Sequence, residues 1–201
     1  MPQLPKTIRW NSGELYFLDQ TLLPHKMVEE TQETVEQVWD SIKQLKVRGA
    51  PAIGVAGAYG LLLAIQDKIG LQKNKFNELV KSKAEYLDSA RPTAVNLKWA
   101  LDRMLECAKS FSGDDSKGLF KSLEDEAISI HNEDEKLCLD SGRNGVSMIK
   151  KDMGVMTHCN AGALATTGIG TATAPMYLAH RKKMAFECTQ VKHVHCFRER
   201  V

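Results

Sequence analysis

One stretch constrains this chain more than any other: PAIGVAGAYGLLLAIQDK, residues 51–68. Pro51 suits the first position of a helix, and the residues after it are apolar nearly all round. A helix without a polar face has to be enclosed on every side. Gly54, Gly57 and Gly60 recur every third residue and leave one side bare. Each glycine weakens an isolated helix by ~1 kcal/mol relative to alanine, a cost that close packing of another backbone offsets. The three are therefore read as packing residues. The rest of the chain must supply the enclosure. With 201 residues, a hydrophobic content of 43% and a charged content of 26%, it has the material for one large domain or two small ones. A compact chain of this size buries roughly 70% of its unfolded surface and needs no disulfides.

Candidate enclosing helices follow from the apolar period. Val35, Val38, Trp39, Ile42 and Leu45 fall at steps of three and four, with Thr31 or Thr34 as cap and Gly49 just beyond the end. A further helix is expected over residues 74–90. Another opens at Arg91-Pro92-Thr93 and carries Val95, Leu97, Trp99, Leu101, Met104 and Leu105. Residues 116–151 read as two helices broken near HNEDE at 131–135, whose acids form a solvated face. Ahead of all these, residues 7–20 read as two short strands around a three-residue turn, Asn11-Ser12-Gly13.

The texture changes near Asp152. Val155 to His158 is a strand candidate that feeds CNAGALATTGIGTATAPMYLAH, residues 159–180, built from Gly, Ala and Thr. This reads as a small-residue loop and one or two helices, the start of an α/β layer. The fold expected is α/β: a mostly helical amino-terminal domain with a small β-hairpin over residues 1–144, then the start of a sheet domain over 145–187.

Composition excludes several functions. A net charge of +2, from 27 basic against 25 acidic residues, gives no strong pull toward nucleic acid or anionic lipid. No apolar run reaches the ~18–20 residues of a membrane span, and the first residues have no apolar core of a signal peptide. Five cysteines, an odd number, do not form a disulfide framework. A cytoplasmic protein with reduced thiols is expected.

Three segments combine little side-chain bulk with an expected helix start: Arg48-Gly49-Ala50-Pro51, Arg91-Pro92-Thr93 and Cys159-Asn160-Ala161-Gly162. Exposed backbone N–H groups and the helix dipole make such starts anion sites, and an arginine fork suits phosphate. One sugar phosphate held by several of them is a coherent picture; surface charges beside ordinary caps are the plainer one. Gly49 and Gly54 have the separation of a phosphate-binding Walker loop, but Val55-Ala56 replace its Lys-Ser/Thr. Gly162, Gly168 and Gly170 do not make a dinucleotide fingerprint. Cys159, at a strand end and before an expected helix start, is the candidate reactive thiol. Cys107 and Cys138 lie on helical patterns as packing residues, and His158 is read as structural. Cys188, His193, His195 and Cys196 do not have the spacing of common zinc sites, and no metal is expected.

These residues carry a resemblance. IRW and LDQ-x-x-LP near the start, KVRGAPAIG at 46–54, ARPTAVNL at 90–97 and THCNAGALATTGIGTA at 157–172 resemble the amino-terminal half of the methylthioribose-1-phosphate isomerases, enzymes of methionine salvage. Their wider superfamily includes ribose-1,5-bisphosphate isomerases and regulatory subunits of the translational guanine-nucleotide exchange factor. The resemblance implies a helical domain followed by a Rossmann-like one, a phosphosugar substrate, no cofactor and a homodimer. It places Arg48, Gly49, Ala50 and Arg91 on the phosphosugar and Cys159 at the catalytic cysteine position. The reaction implied converts 5-methylthioribose 1-phosphate into 5-methylthioribulose 1-phosphate, the cysteine acting with an aspartate. A non-catalytic regulatory subunit and a ribose-1,5-bisphosphate isomerase are the alternatives.

After about Glu187 the resemblance stops, before the family's aspartate, glutamine and Asn-Lys positions. One choice of codons for CTQVKHVHCFRERV reads, in a shifted frame, as YAGETRPLLQGAR, the segment the family has there. Residues 188–201 are therefore expected to be a frameshifted, non-family tail. The expected product is a truncated chain of weak stability with little or no isomerase activity.

Overall fold

The computed structural model describes residues 4–191 and 196–200, with side chains as far as Thr189. Strands β1 (Ile8–Asn11) and β2 (Glu14–Leu18) form the expected hairpin. Asn11 pairs with Glu14, so the turn is two residues, Ser12-Gly13, rather than three. Both have positive φ, 51° and 91°, the geometry whose twist matches that of the strands. A third strand, β3 (Glu29–Gln32), adds antiparallel to β2. Its sequence, EETQ, has no apolar alternation to announce it. Side-chain bonds hold it instead: Lys46 pairs with Glu30 at 2.7 Å, and Ser41 Oγ donates to Gln32 Oε1 at 2.9 Å.

Helix α1 (Val35–Lys43) starts at Thr34, whose hydroxyl accepts from Gln37 N while the Gln37 side chain accepts from Thr34 N. This reciprocal pair satisfies two orphan donors at the helix start. The helix stops short of Leu45, which has a φ of 64° and lies exposed, so Leu45 does not extend its stripe, and Gly49, expected just beyond its end, instead precedes α2.

Helix α2 (Ala50–Ile65) is the central element, buried along nearly its whole length. Around it pack α1, α3 (Lys73–Asp88), α4 (Val95–Ser110) and α5 (Ser116–Gly145). The glycine side is where neighbours come closest. A Cβ on Gly54 would lie 2.8 Å from Asn96 O, one on Gly57 2.5 Å from Leu97 Cδ1, and one on Gly60 2.6 Å from Val38 Cγ1. The packing reading of the three glycines therefore holds. With the 3-10 turn that follows it, the helix reaches Lys68 and is long and apolar enough to cross a membrane, contrary to the expectation from apolar runs. Most of it is enclosed by the other helices, as a core helix is. Trp10 of β1 also packs on it, stacked on Tyr59 at 5.4 Å with Nε1 donating to Glu124 Oε1.

Helix α5 is one element of 30 residues, not two. Leu119, Leu123, Ala127, Ile130, Cys138 and Gly142 keep its buried stripe in phase through HNEDE, which holds neither Gly nor Pro to break it. At ~1.5 Å per residue it runs about 45 Å. It backs the helical domain with its first half and carries the second unit on its last turns. There α6 (Ala174–Arg181) packs so closely that a Cβ on Gly142 would lie 3.1 Å from Ala174 O, and one on Gly145 2.6 Å from Pro175 Cγ.

The second unit is a small sheet, β4 (Met153–His158), β5 (Phe186–Val191) and β6 (Cys196–Arg200), in that spatial order. β4 and β5 run parallel, joined through α6, and β6 is antiparallel to β5. Val146, Ile149, Met176, Ala179 and Phe186 form its core. On the other face of β4, Gly154, Met156 and His158 are exposed. The fold is thus α/β with a helical first part, as expected. His193 and His195 lie outside the described residues, and no group of three metal-ligating side chains occurs among the described ones.

Candidate active site

Two close contacts bring the loop after β4 and the first turn of α4 to one end of α2. Gly49, the residue before α2, faces Ala165 so closely that a Cβ on it would lie 2.0 Å from the Ala165 Cα. One turn into α2, Gly54 meets the carbonyl of Asn96 in the first turn of α4. The start of α4, the start of α2 and the loop after β4 are therefore neighbours.

Neither helix start is capped by a side chain, unlike those of α1 and α5. Their first N–H groups remain available to an anion. α4 begins at Val95 rather than at Arg91, which precedes it in a turn whose carbonyl accepts from Ala94 N at 2.9 Å. Arg48 and Ala50 are exposed, Gly49 is buried and Arg91 is half-buried. Neither guanidinium has an ion pair or hydrogen bond among the described residues.

Cys159 directly follows β4 with a φ of 67°, and it is exposed. No helix begins beside it, contrary to expectation. The chain continues as a loop with a single 3-10 turn at Ala163–Ala165, and α6 starts only at Ala174. Gly and Ala predominate there because the loop is packed against α2 and α5, not because it winds into a helix. Cys107 and Cys138 are half-buried and buried on α4 and α5, as read from their patterns, and burial pushes the Cys138 thiol up.

The loop is held from several directions. Thr7 Oγ1 donates to Ala163 O at 3.2 Å, and Gln20 Nε2 donates to Leu164 O at 2.8 Å. From α5, Asp134 Oδ2 accepts from both the N–H and the hydroxyl of Thr167, each at 2.7 Å. Inside the loop, Thr166 Oγ1 accepts from Gly168 N and Gly170 N, and Ala161 O accepts from Thr171 N and Thr173 Oγ1. Sequence reasoning passed over Thr7, Gln20, Asp134 and Thr167. Asp134 in particular belongs to the run expected to form a solvated face; in place of water it meets Thr167. Next to it, His131 Nδ1 lies 3.1 Å from the Tyr59 hydroxyl, and burial lowers its pKa.

Three buried polar atoms on these elements have no hydrogen-bond partner among the described residues: Gln20 Oε1, Thr157 Oγ1 and Asn160 Nδ2. An unsatisfied buried polar atom costs ~1–3 kcal/mol. Two of these atoms, on Thr157 and Asn160, flank Cys159 in sequence, and polar atoms left open in this way suit a ligand with several hydroxyls. Uncapped backbone N–H groups and guanidinium forks are groups that can grip an anion, and an exposed thiol is one that can exchange a proton.

Residues 46–193 match the model of the initiation factor 2 subunit family. The chain belongs to that family. A 5-deoxyribose 1-phosphate isomerase of Bacillus thuringiensis (strain Al Hakam) is 49% identical over 175 residues, which are 87% of this chain and 50% of that protein. Another, from Moorella thermoacetica, is 47% identical over 178 residues, 88% of this chain and 51% of the relative. The chain spans about half the length of these relatives. Among solved structures, 5-methylthioribose 1-phosphate isomerase of Pyrococcus horikoshii superposes with a TM-score of 0.85 at 35% identity, over 90% of this chain and 51% of that one. The delta subunit of translation initiation factor eIF-2B from A. fulgidus gives 0.83 at 34% identity, over 93% and 54%. Family members with this fold thus carry both isomerase and translation-factor names.

Proposed function

We propose that this chain provides the phosphate-binding and thiol-bearing part of an aldose–ketose isomerase acting on a pentose 1-phosphate without an oxygen at C5. The observation that supports it best is the backbone contact of Gly49 with Ala165, which sets the Arg48-Gly49-Ala50 segment beside the Cys159 loop. The named substrates of the relatives, 5-deoxyribose 1-phosphate and 5-methylthioribose 1-phosphate, share the anomeric phosphate and differ only in the group on C5. The resemblance read from the sequence favours the methylthio sugar; the identity to the Bacillus and Moorella proteins favours the 5-deoxy sugar.

In such a reaction the bond between C1 and the ring oxygen breaks while the phosphoester stays. One hydrogen moves from C2 to C1, the C2 hydroxyl loses its proton, and the ring oxygen gains one. In this reading Arg48, Arg91 and the N–H groups at the starts of α2 and α4 hold the phosphate. Held there, the sugar lies with C1 and C2 toward Cys159, whose thiol exchanges a proton with the reacting atoms. Asn160 and Thr157 offer their unpartnered polar atoms to sugar hydroxyls.

The test has two parts. Calorimetry of the chain with 5-deoxyribose 1-phosphate and 5-methylthioribose 1-phosphate should show saturable binding that Arg48→Ala and Arg91→Ala each weaken at least tenfold. Absence of binding to any pentose 1-phosphate overturns the reading. For turnover, the matching 175 residues of the Bacillus relative are replaced by those of this chain. The chimera should form ketose, and Cys159→Ala should abolish it. A folded, sugar-binding chimera without turnover would assign the chain to a non-catalytic role, as the likeness to the translation-factor subunit suggests.

A further inference from the structure

The loop between Cys159 and α6 contains few side chains large enough to hold it in place by packing, yet it follows the thiol directly. Its anchor from α5 is Asp134. One carboxylate oxygen takes both the N–H and the hydroxyl of Thr167, at 2.7 Å each, and Thr167 Oγ1 also lies 3.3 Å from the carbonyl of His131, one turn back. Two hydrogen bonds to one charged acceptor are stronger than a neutral pair and fix both the backbone and the side chain of Thr167.

From Thr167 the restraint passes back toward the thiol. Thr166 Oγ1 gathers the N–H groups of Gly168 and Gly170, folding the glycine turn onto itself. Thr171 N and Thr173 Oγ1 then close on Ala161 O, both at 2.9 Å, two residues from Cys159. On the other side the same 3-10 turn is seated by Thr7, Gln20 and Gly49. Asp134 brings a charged side chain to this loop, and it is not on any of the segments that would bind phosphate.

We infer that Asp134, acting through Thr167, is a positioning residue for the reaction: it sets where the Cys159 loop stands relative to the phosphate grip at Gly49. The inference rests on the isomerase reading but makes a separate demand of it. The phosphate grip lies on α2 and α4, so losing the anchor displaces the thiol more than it weakens binding. A misplacement of ~1 Å costs about a hundredfold in rate when a reacting group must be aligned.

The experiment uses the ketose-forming chimera and the chain itself. Asp134→Ala and Thr167→Val should each lower kcat at least tenfold while KM changes less than threefold. The double variant should be no slower than Asp134→Ala alone, since both remove the same link. Thr167→Ser, which keeps the N–H and the hydroxyl, should recover kcat to within threefold, and Asp134→Asn should recover part of it. In the chain, site-resolved alkylation of Cys159 by iodoacetamide should change rate in Asp134→Ala but not in Thr167→Ser. Melting temperatures identify variants that are merely unfolded. Equal losses in kcat and folded fraction, additive effects of the two substitutions, or unchanged kcat in Asp134→Ala would each overturn the inference. Failure of the parent chimera to turn over would instead overturn the isomerase reading.

Discussion

Gly49 and Ala165 meet backbone to backbone: a Cβ on Gly49 would stand 2.0 Å from the Ala165 Cα and 2.1 Å from its carbonyl oxygen. Neither atom is the end of a flexible side chain, so nothing nearby can rotate out of the way. Gly49→Ala should therefore push the Cys159 loop off the start of α2. Overpacking of this kind costs ~1–3 kcal/mol, which for a chain of this length corresponds to a melting-temperature drop of roughly 2–12 °C. Pentose 1-phosphate binding, measured by calorimetry, should fall at least tenfold. A variant that melts and binds like the parent would mean that this contact is dispensable.

The glycines of α2 separate the same way from glycines that pack nothing. Gly54 faces a main-chain carbonyl, Asn96 O at 2.8 Å, whereas Gly70 has nothing within 4 Å and no positive φ. Gly54→Ala should destabilise the chain, since the helix propensity it gains, ~1 kcal/mol, cannot relieve a clash with backbone. Gly70→Ala should be neutral or stabilising by ~0.4–1 kcal/mol through the unfolded chain. Thermal denaturation of the two variants side by side decides it, and equal melting temperatures would count against the packing account of α2.

How much of this was legible in the sequence follows from which forces are local. The glycine spacing in α2, the Thr34 cap and the apolar stripe of α4 are short-range patterns, and the structure keeps them. Leu45 fits the α1 stripe by spacing, yet the chain has already turned left-handed there. Cys159 follows a strand as its neighbours predict, but the helix expected after it is a braced loop, because Gly and Ala serve close packing as readily as a turn. Asp134 was hidden in HNEDE. A charged run looks like a solvated face until a distant threonine, Thr167, arrives to take one carboxylate. β3 was invisible for the same reason, its bonds being with Lys46 and Ser41.

Arg48 and Arg91 are set apart from the chain's structural arginines by what they lack. Arg9 and Arg103 are engaged with carboxylates, while Arg48 and Arg91 have no such partner among the described residues. Replacing either by Ala should leave the melting temperature within about 2 °C, the effect of a surface change of ~0.5 kcal/mol. Binding of a pentose 1-phosphate should weaken at least tenfold, and raising the salt should weaken what remains less steeply than in the parent. Arg48→Lys should not restore full affinity, because a point charge does not reproduce the planar fork. A large fall in melting temperature with unchanged binding would make these arginines structural.

Arg103 of α4 gives the pH dependence a sign. Its guanidinium bonds Glu126 and, at 2.5 and 2.6 Å, both oxygens of Glu133 on α5. Chiefly through that bond, the Glu133 carboxyl is held at about 2, below its ordinary 4.5. A carboxylate with a lowered pKa stabilises the fold above its unfolded value, and the contribution is lost as pH falls toward the folded one. The window here is pH 4.5 to about 2. Nearly half of the Glu133 side chain is exposed, so solvent screening keeps the pair to under about 1 kcal/mol. Arg103→Met should therefore lower the melting temperature by an amount that is steady from pH 7 to 5. Below pH 4.5 the gap should narrow to the remainder left by the lost stacking on Trp99. His131, whose pKa is lowered by burial, also loses stability as pH falls below 6.5, but it does so in both proteins and cancels from the difference. Melting curves followed by circular dichroism at half-unit pH steps would measure the gap. A gap that widens in acid would remove Glu133 as its cause.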